Sequence, residues 1–384
     1  MTYILFLSSI IFFTPLTKKS DEQKVTFFFY VIIFFIACTR FGVGVDYFSY
    51  YNIYRAMPVG SPGSLFIRLL TLYTEPGFSL LMMIFRYFNM SFIQFIALCA
   101  CISLVMIFST IQKYSNNKII SFFIFYSHYY LVYIESIVRQ GIAMAIFLYA
   151  FFSFIDNKKT IKYILFILLG MTFHVSIVIA LFIPIIIKLK NKYFLSPFPL
   201  IVLSIFSFLC GYIFFLPFLN LFLSETPFSR YLRYSNSNNV NISAVLFRMF
   251  KLVFIYIIYF RVKKHLLPED KLVLKIYIIG LLFYFFICQM SLLSRMSNYF
   301  MILEIILIPN MIKHLSKNEK IFMVNVYIIL FSFIYIKDID SFLNLREYYS
   351  KSVFDYNHIT IFNKEKILEV LPGDVSKRYF LDHR

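Results

Sequence analysis

Apolar runs bounded by polar clusters recur along the chain at about 3–16, 25–39, 91–111, 119–134, 138–155, 197–219, 243–260, 272–290, 298–312 and 321–336. Runs that are apolar on every side predict helices buried in a bundle or in lipid. Several fall short of the roughly 20 residues of an ideal span, so their ends are soft by a few residues. The run 161–187 is too long for one helix and is interrupted by Thr172-Phe173-His174 and Ser176. It reads as two short helices folded back on each other, with His174 near the turn. Ten runs and this pair predict an all-α polytopic membrane bundle of about 12 transmembrane helices, one pair broken or re-entrant. The bundle occupies 1–336 and a charged tail 337–384. Residues 3–16 lack a preceding basic region and a small-residue cleavage site, so they read as a retained first span.

Composition sharpens this picture. Of 384 residues, 60% are hydrophobic and 15% charged, with mean hydropathy +0.78, which excludes an ordinary soluble globule. The five cysteines all fall inside apolar runs, and neither a disulfide framework nor a metal site is expected. The net charge of +18 raises nucleic acid, anionic lipid or topology as explanations, and the positions of the charges decide between them. Six clusters (Lys18/Lys19/Lys24, Lys113/Lys118, Lys158/Lys159/Lys162, Lys188/Lys190/Lys192, Arg261/Lys263/Lys264/Lys271/Lys275 and Lys313/Lys317/Lys320) hold 19 basic residues, 18 of them lysine. With 161–187 counted as two crossings, all six fall on one side, which the positive-inside rule makes cytoplasmic. The opposite loops and adjoining helix ends hold Arg40, Arg55, Arg68, Arg86, Arg139, Arg230, Arg233, Arg248, Lys251 and Arg295. A lysine suffices as a topology signal, whereas arginine presents a planar fork that matches phosphate oxygens two at a time. The charge therefore speaks for topology rather than nucleic acid, and the outer arginines either pair in the loops and snorkel at helix ends or meet a phosphate-bearing ligand at the outer face.

Five stretches carry the candidate chemistry. Arg40-Phe-Gly-Val-Gly-Val-Asp46-Tyr47-Phe-Ser-Tyr50 follows the second span, its glycines permitting a tight exit and its aromatics and carboxylate suited to sugar. Glu75-Pro-Gly-Phe78 opens an apolar helix too short to cross, which reads as interfacial or re-entrant, with Glu75 suited to its N-terminus. Glu135 and Arg139 lie four residues apart in a short hinge, where a continuing helix would pair them. His174 sits at the outer apex of the broken pair, and irregular backbone at membrane depth normally lines a cavity. His128, in mid-span beside Tyr129 and Tyr130, is a weaker candidate. Ser294-Arg295-Met-Ser-Asn-Tyr-Phe300 opens a late span, and Asp338-Ile-Asp340 is too short a match to a metal-binding DxD element to carry weight.

In this order RFGVGVDYFSY (40–50), EPGF (75–78), RQGIA (139–143) and FHVS (173–176) resemble the EpsG family of polysaccharide polymerases, similar in role to the Wzy O-antigen polymerases. The likeness is strong over about 25–190 and continues more weakly through SRMSNYF. Val45 departs from it, since the pattern usually has Thr before Asp-Tyr. The resemblance implies a glycosyltransferase of the bacterial cytoplasmic (inner) membrane, acting on its outer face. It would polymerise undecaprenyl-pyrophosphate-linked repeat units into O-antigen, capsule or exopolysaccharide, without a cofactor. Its partners would be those lipid-linked glycans, the bilayer and, as a candidate, a chain-length regulator. On that reading Arg139, Arg295 and Arg40 clamp the pyrophosphate. His174, then Asp46 or Glu135, are the candidate bases, and Asp46, Tyr47, Tyr50 and Glu75 hold sugar. The alternatives are a flippase or other transporter of the same lipid-linked glycans, a membrane O-acyltransferase, or a glycan ligase.

Overall fold

The computed structural model describes residues 2–44, 46–57, 74–190, 196–215 and 242–342. Arg68, Arg230, Arg233 and the tail beyond residue 342 lie outside the described residues. All regular structure among the described residues is helical. Five helices are long and apolar enough to cross a membrane: α2 (Glu22–Thr39), α5 (Phe92–Tyr114), α7 (Val138–Asn157), α11 (Ile242–Val262) and α16 (Lys317–Phe342). Their outward faces carry exposed Phe27, Phe28 and Phe35 on α2, Leu246 and Val253 on α11, and Phe322 and Phe333 on α16. Large apolar side chains left uncovered along whole helices require lipid rather than water as solvent. The chain is a helical membrane protein.

The broken pair is present. α8 (Thr160–Met171) ends in the turn 172–174, and a 3-10 segment, Val175–Phe182, returns alongside it into the short α9 (Ile183–Ile186). Tyr163 on α8 donates 2.8 Å to the Ala180 carbonyl, which locks the two antiparallel. α6 (Lys118–Phe125) runs directly into an 11-residue π-helical stretch, Tyr126–Ser136. The stretch ends at Ile137, whose backbone (φ −91°, ψ 63°) leaves the helical region before α7 begins.

Polar contacts collect at two opposite ends. At the lysine end, the Lys118 N–H donates to Glu22 (3.2 Å) and the Asn116 N–H to Asn310 (2.9 Å). There too Lys113 pairs with Asp156 (2.6 Å), and Lys275 donates to the Ile187 and Leu189 carbonyls (2.9 Å each). The motif end is formed by the chain entering and leaving α7, by the turn 172–174 and by two helices that do not cross. These are α3 (Tyr47–Ala56) and α4 (Pro76–Tyr87). Both pack in a second core of their own, in which Tyr50, Tyr54, Phe78, Met82 and Phe85 meet Phe92 and Phe95 of α5 and Val138 and Ile142 of α7. α4, at 12 residues, is about 18 Å long. It buries this face and exposes Leu80, Ile84 and Tyr87, as the sequence pattern of an interfacial helix predicts.

Between the ends lies a charged centre that the sequence reading does not single out. Lys251 of α11 places its ammonium 2.7 and 2.9 Å from the Glu304 carboxylate at the start of α15 (Glu304–Ile312). Tyr129 (2.7 Å) and Tyr277 (2.9 Å) of α12 (Pro268–Ile287) donate to the same carboxylate, and His128 Nε2 lies 3.9 Å away. Lys251, grouped by sequence with the loops and helix ends, is in fact in mid-helix and 2% exposed, because its charge is met inside the bundle. Removing one partner of such a pair would leave an unmatched buried charge, at a cost of about 3–5 kcal/mol.

Candidate functional site

Tight backbone packing brings the motifs together before any side chain is considered. Gly44 has φ +105°, a conformation that L side chains rarely adopt, and a Cβ there would run into the Glu135 carbonyl. The first motif therefore rests on the end of the π-helical stretch. Gly77 is equally constrained: a Cβ would collide with Thr172, whose carbonyl accepts from the Gly77 (2.8 Å) and Phe78 (3.3 Å) N–H groups. The first turn of α4 is thus docked onto the turn that carries His174, and two of its orphan N–H donors are satisfied there.

This docking decides where Glu75 goes. It occupies the N-cap position of α4 but makes no capping bond. Its carboxylate instead forms an ion pair with Arg139 in the first turn of α7. The Arg139 guanidinium also lies 5.7 Å from the ring centre of Tyr50 on α3. The local Glu135–Arg139 pair expected from their spacing does not form. The break at Ile137 turns Glu135 inward, where Tyr3 of α1 (Thr2–Leu16) donates to it at 2.5 Å, and leaves Arg139 at the surface of the motif end.

His174 closes the cluster. Its Nδ1 accepts the Ser176 backbone N–H at 3.3 Å and lies 2.5 Å from Ser176 Oγ, which is 2.9 Å from the Tyr299 hydroxyl. A backbone N–H can only donate, so Nδ1 carries no hydrogen and the ring proton sits on Nε2. Tyr299, fully buried in the short helix α14 (Asn298–Met301), then feeds a donor chain through Ser176 to His174. Burial in this turn pushes the imidazole down to about 4; Glu75 opposes that shift, while Arg139 and Arg295 add to it. His174 is therefore a neutral ring that offers an N–H, within electrostatic reach of both arginines. Arg295, in the 3-10 turn Arg295–Ser297 after α13 (Ser291–Ser294), is anchored through its backbone: Gln140 donates to its carbonyl at 3.1 Å. Its guanidinium has no hydrogen-bond or ion-pair partner among the described residues. On α3, Tyr50 donates to Asp46 at a long 3.4 Å, and burial raises the Tyr50 hydroxyl to about 12, so it stays a neutral donor.

The model family EpsG matches residues 23–358. The chain belongs to the EpsG family. No curated protein and no solved structure matches it. Every side chain of the cluster lies inside the matched span, and EpsG membership makes a polysaccharide polymerase the frame for its chemistry.

The nine residues singled out by sequence fall into three places. Tyr50, Glu75, Arg139, His174 and Arg295 converge, with Asp46 beside them. Arg40 and Glu135 are each 1% exposed and belong to the bundle interior. There Arg40 donates 2.8 Å to the Ile134 carbonyl and lies within electrostatic reach of Glu135. Tyr47 faces away from Arg139, toward a separate cavity on the other side of α3. Sequence reasoning passed over Ser176, Gln140 and Tyr299, although each lies inside a quoted motif. Their signal is that motif, since each supports another motif residue through a hydrogen bond and carries no charge itself.

Proposed function

We propose that this protein polymerises glycan repeat units carried on undecaprenyl pyrophosphate, at the outer face of the bacterial cytoplasmic membrane. In this reading about twelve passes cross the bilayer and the lysine end is cytoplasmic. The observation that carries the proposal is the convergence of Arg139, Arg295 and the His174 N–H at the end opposite the lysines. This is a cationic, donor-rich cluster, suited to a pyrophosphate leaving group.

The acceptor hydroxyl oxygen attacks the anomeric carbon of the growing chain. The bond from that carbon to the pyrophosphate oxygen breaks, and the pyrophosphate leaves with the electron pair. Arg139 and Arg295 stabilise the charge that develops on it, and the His174 Nε2–H adds a neutral donor. Glu75 already occupies one edge of Arg139, so an incoming pyrophosphate competes with that carboxylate and Glu75 sets how tightly it is held. The acceptor proton passes to Asp46, which keeps a half-buried carboxylate with a single long bond from Tyr50. Glu135 is enclosed and bonded to Tyr3, and His174 Nδ1 is already accepting, which leaves Asp46 as the base. Arg40 and Glu135 hold the floor beneath the site.

A transporter of the same lipid is the second reading, favoured by the Lys251–Glu304 pair in the bundle centre. Purified protein in liposomes, given defined undecaprenyl-pyrophosphate-linked repeat units, should build a ladder of polymer. The Arg139→Lys variant, which keeps the charge and loses the fork, should abolish it while inserting normally. Full-length polymer from that variant would overturn the clamp. Accelerated transbilayer movement of the lipid with no ladder would establish the transporter.

A further inference from the structure

The far side of α3 from Arg139 borders a cavity of about 440 Å³, within the range of small-ligand sites. Tyr47, Tyr51 and Tyr54 line it at positions i, i+4 and i+7 of one helical face, whereas Tyr50 points to the cluster described above. α3 therefore separates two sites at the same end of the molecule. Two arginines complete the cavity. The Arg55 guanidinium lies 6.0 Å from the Tyr51 ring centre, and that of Arg86 on α4 lies 5.9 Å from Tyr54. Arginines packed on aromatic faces lose less freedom when they bind, so their forks are partly ordered in advance.

Three details narrow the ligand. No carboxylate is among the described residues that line the cavity. The Arg86 guanidinium has no hydrogen-bond or ion-pair partner among the described residues, and its Nε is buried. Asn89, held in the left-handed region (φ 53°) just past α4, presents an amide that both donates and accepts. The Tyr54 hydroxyl is committed to the Met90 carbonyl (2.6 Å), so this tyrosine contributes its ring to the cavity. Aromatic rings, an amide and the unpaired Arg86 guanidinium together suit a pyranose that bears a carboxylate.

We propose that this cavity is a glycan subsite for an acidic, uronate-type sugar residue, with Arg86 as the residue that selects its charge. The proposal rests on the polymerase reading only for where such a glycan comes from; the binding itself is independent of turnover. Its test is ligand-detected NMR on the full chain in nanodiscs, with methyl glucuronide, methyl glucoside and inorganic pyrophosphate as probes. The glucuronide should bind about tenfold more tightly than the neutral glucoside, the order that one charge-assisted fork contributes. Arg86→Gln should remove that preference, and Arg86→Lys should keep part of it, while pyrophosphate binding stays unchanged in both. Size-exclusion elution at the wild-type volume establishes that the variants are folded. Equal binding of the two glycosides, or a preference untouched by Arg86→Gln, would overturn the proposal. So would loss of pyrophosphate binding in Arg86→Gln, which would make the cavity a phosphate site. A chain that binds glucuronide as described yet builds no polymer would refute the polymerase reading alone.

Discussion

His174 is held by partners that decide which of its nitrogens carries the proton. Because the Ser176 backbone N–H points at Nδ1, deprotonating a sugar hydroxyl there would require giving up an existing bond. The role left to the ring is donation from Nε2, and a glutamine amide can supply a donor at similar reach. His174→Gln should therefore retain polymerisation within about tenfold, whereas His174→Ala should lose about 10²–10³-fold, the cost of removing one donor to a developing anion. The pH dependence separates this from base catalysis. With the imidazole held down to about 4, it is neutral at pH 7 and gains a proton only as pH falls toward that value. The pH–rate profile should then lack an inflection near 6.5, the ordinary histidine value. Between 6.5 and 4 an unfolded chain binds more protons at this residue than the native one, so its contribution to stability is complete above 6.5 and declines on acidification. An inflection between 6 and 7 that disappears in His174→Gln would return the ring to the role of base.

At the scale of elements, the site depends on α4 being docked by its first turn. Gly77 leaves no room for a side chain against Thr172, and that contact sets the position of Glu75, two residues earlier. Gly77→Val should push α4 off the turn and separate Glu75 from Arg139. Polymer synthesis should fall by at least about 10²-fold, as small misplacements of positioning groups do, with the amount of inserted protein unchanged. Wild-type rates in Gly77→Val would show that the docking is incidental. Much of this arrangement was legible beforehand. The polar break in 161–187 foretold the folded pair, and a helix of a dozen apolar residues after Glu-Pro-Gly could not span. The hinge between Glu135 and Arg139 was not legible, because their spacing suits an ion pair on any continuous helix and nothing local announces the π-helical stretch or the break at Ile137. Lys251 and Glu304 were opaque for a different reason. They stand 53 residues apart on separate helices, and a single charge inside an apolar run has no pattern until the bundle brings its partner.

For the molecule as a whole, charge sorts the lysine-bearing turns from the motif residues. The hydrogen bonds that join Glu22, Asn116, Lys275 and Asn310 tie the lysine-bearing turns into one end, and the motif residues collect at the other. If lysines face the anionic inner leaflet, the arginines and His174 must open to the outside, where a lipid-linked glycan can arrive laterally from the bilayer without a nucleotide donor. Ser49 on α3 and Lys159 ahead of α8 are both exposed and stand at opposite ends. With Cys38, Cys99, Cys101, Cys210 and Cys288 replaced by serine or alanine, a cysteine introduced at each position reports its side directly. A membrane-impermeant maleimide applied to intact cells should label Ser49→Cys at once and Lys159→Cys only after lysis. Labelling of both from the same side would refute the threading. The reverse pattern would place the arginine cluster in the cytoplasm, where nucleotide-sugar donors are available, and would remove the reason to look to a lipid pyrophosphate for the leaving group.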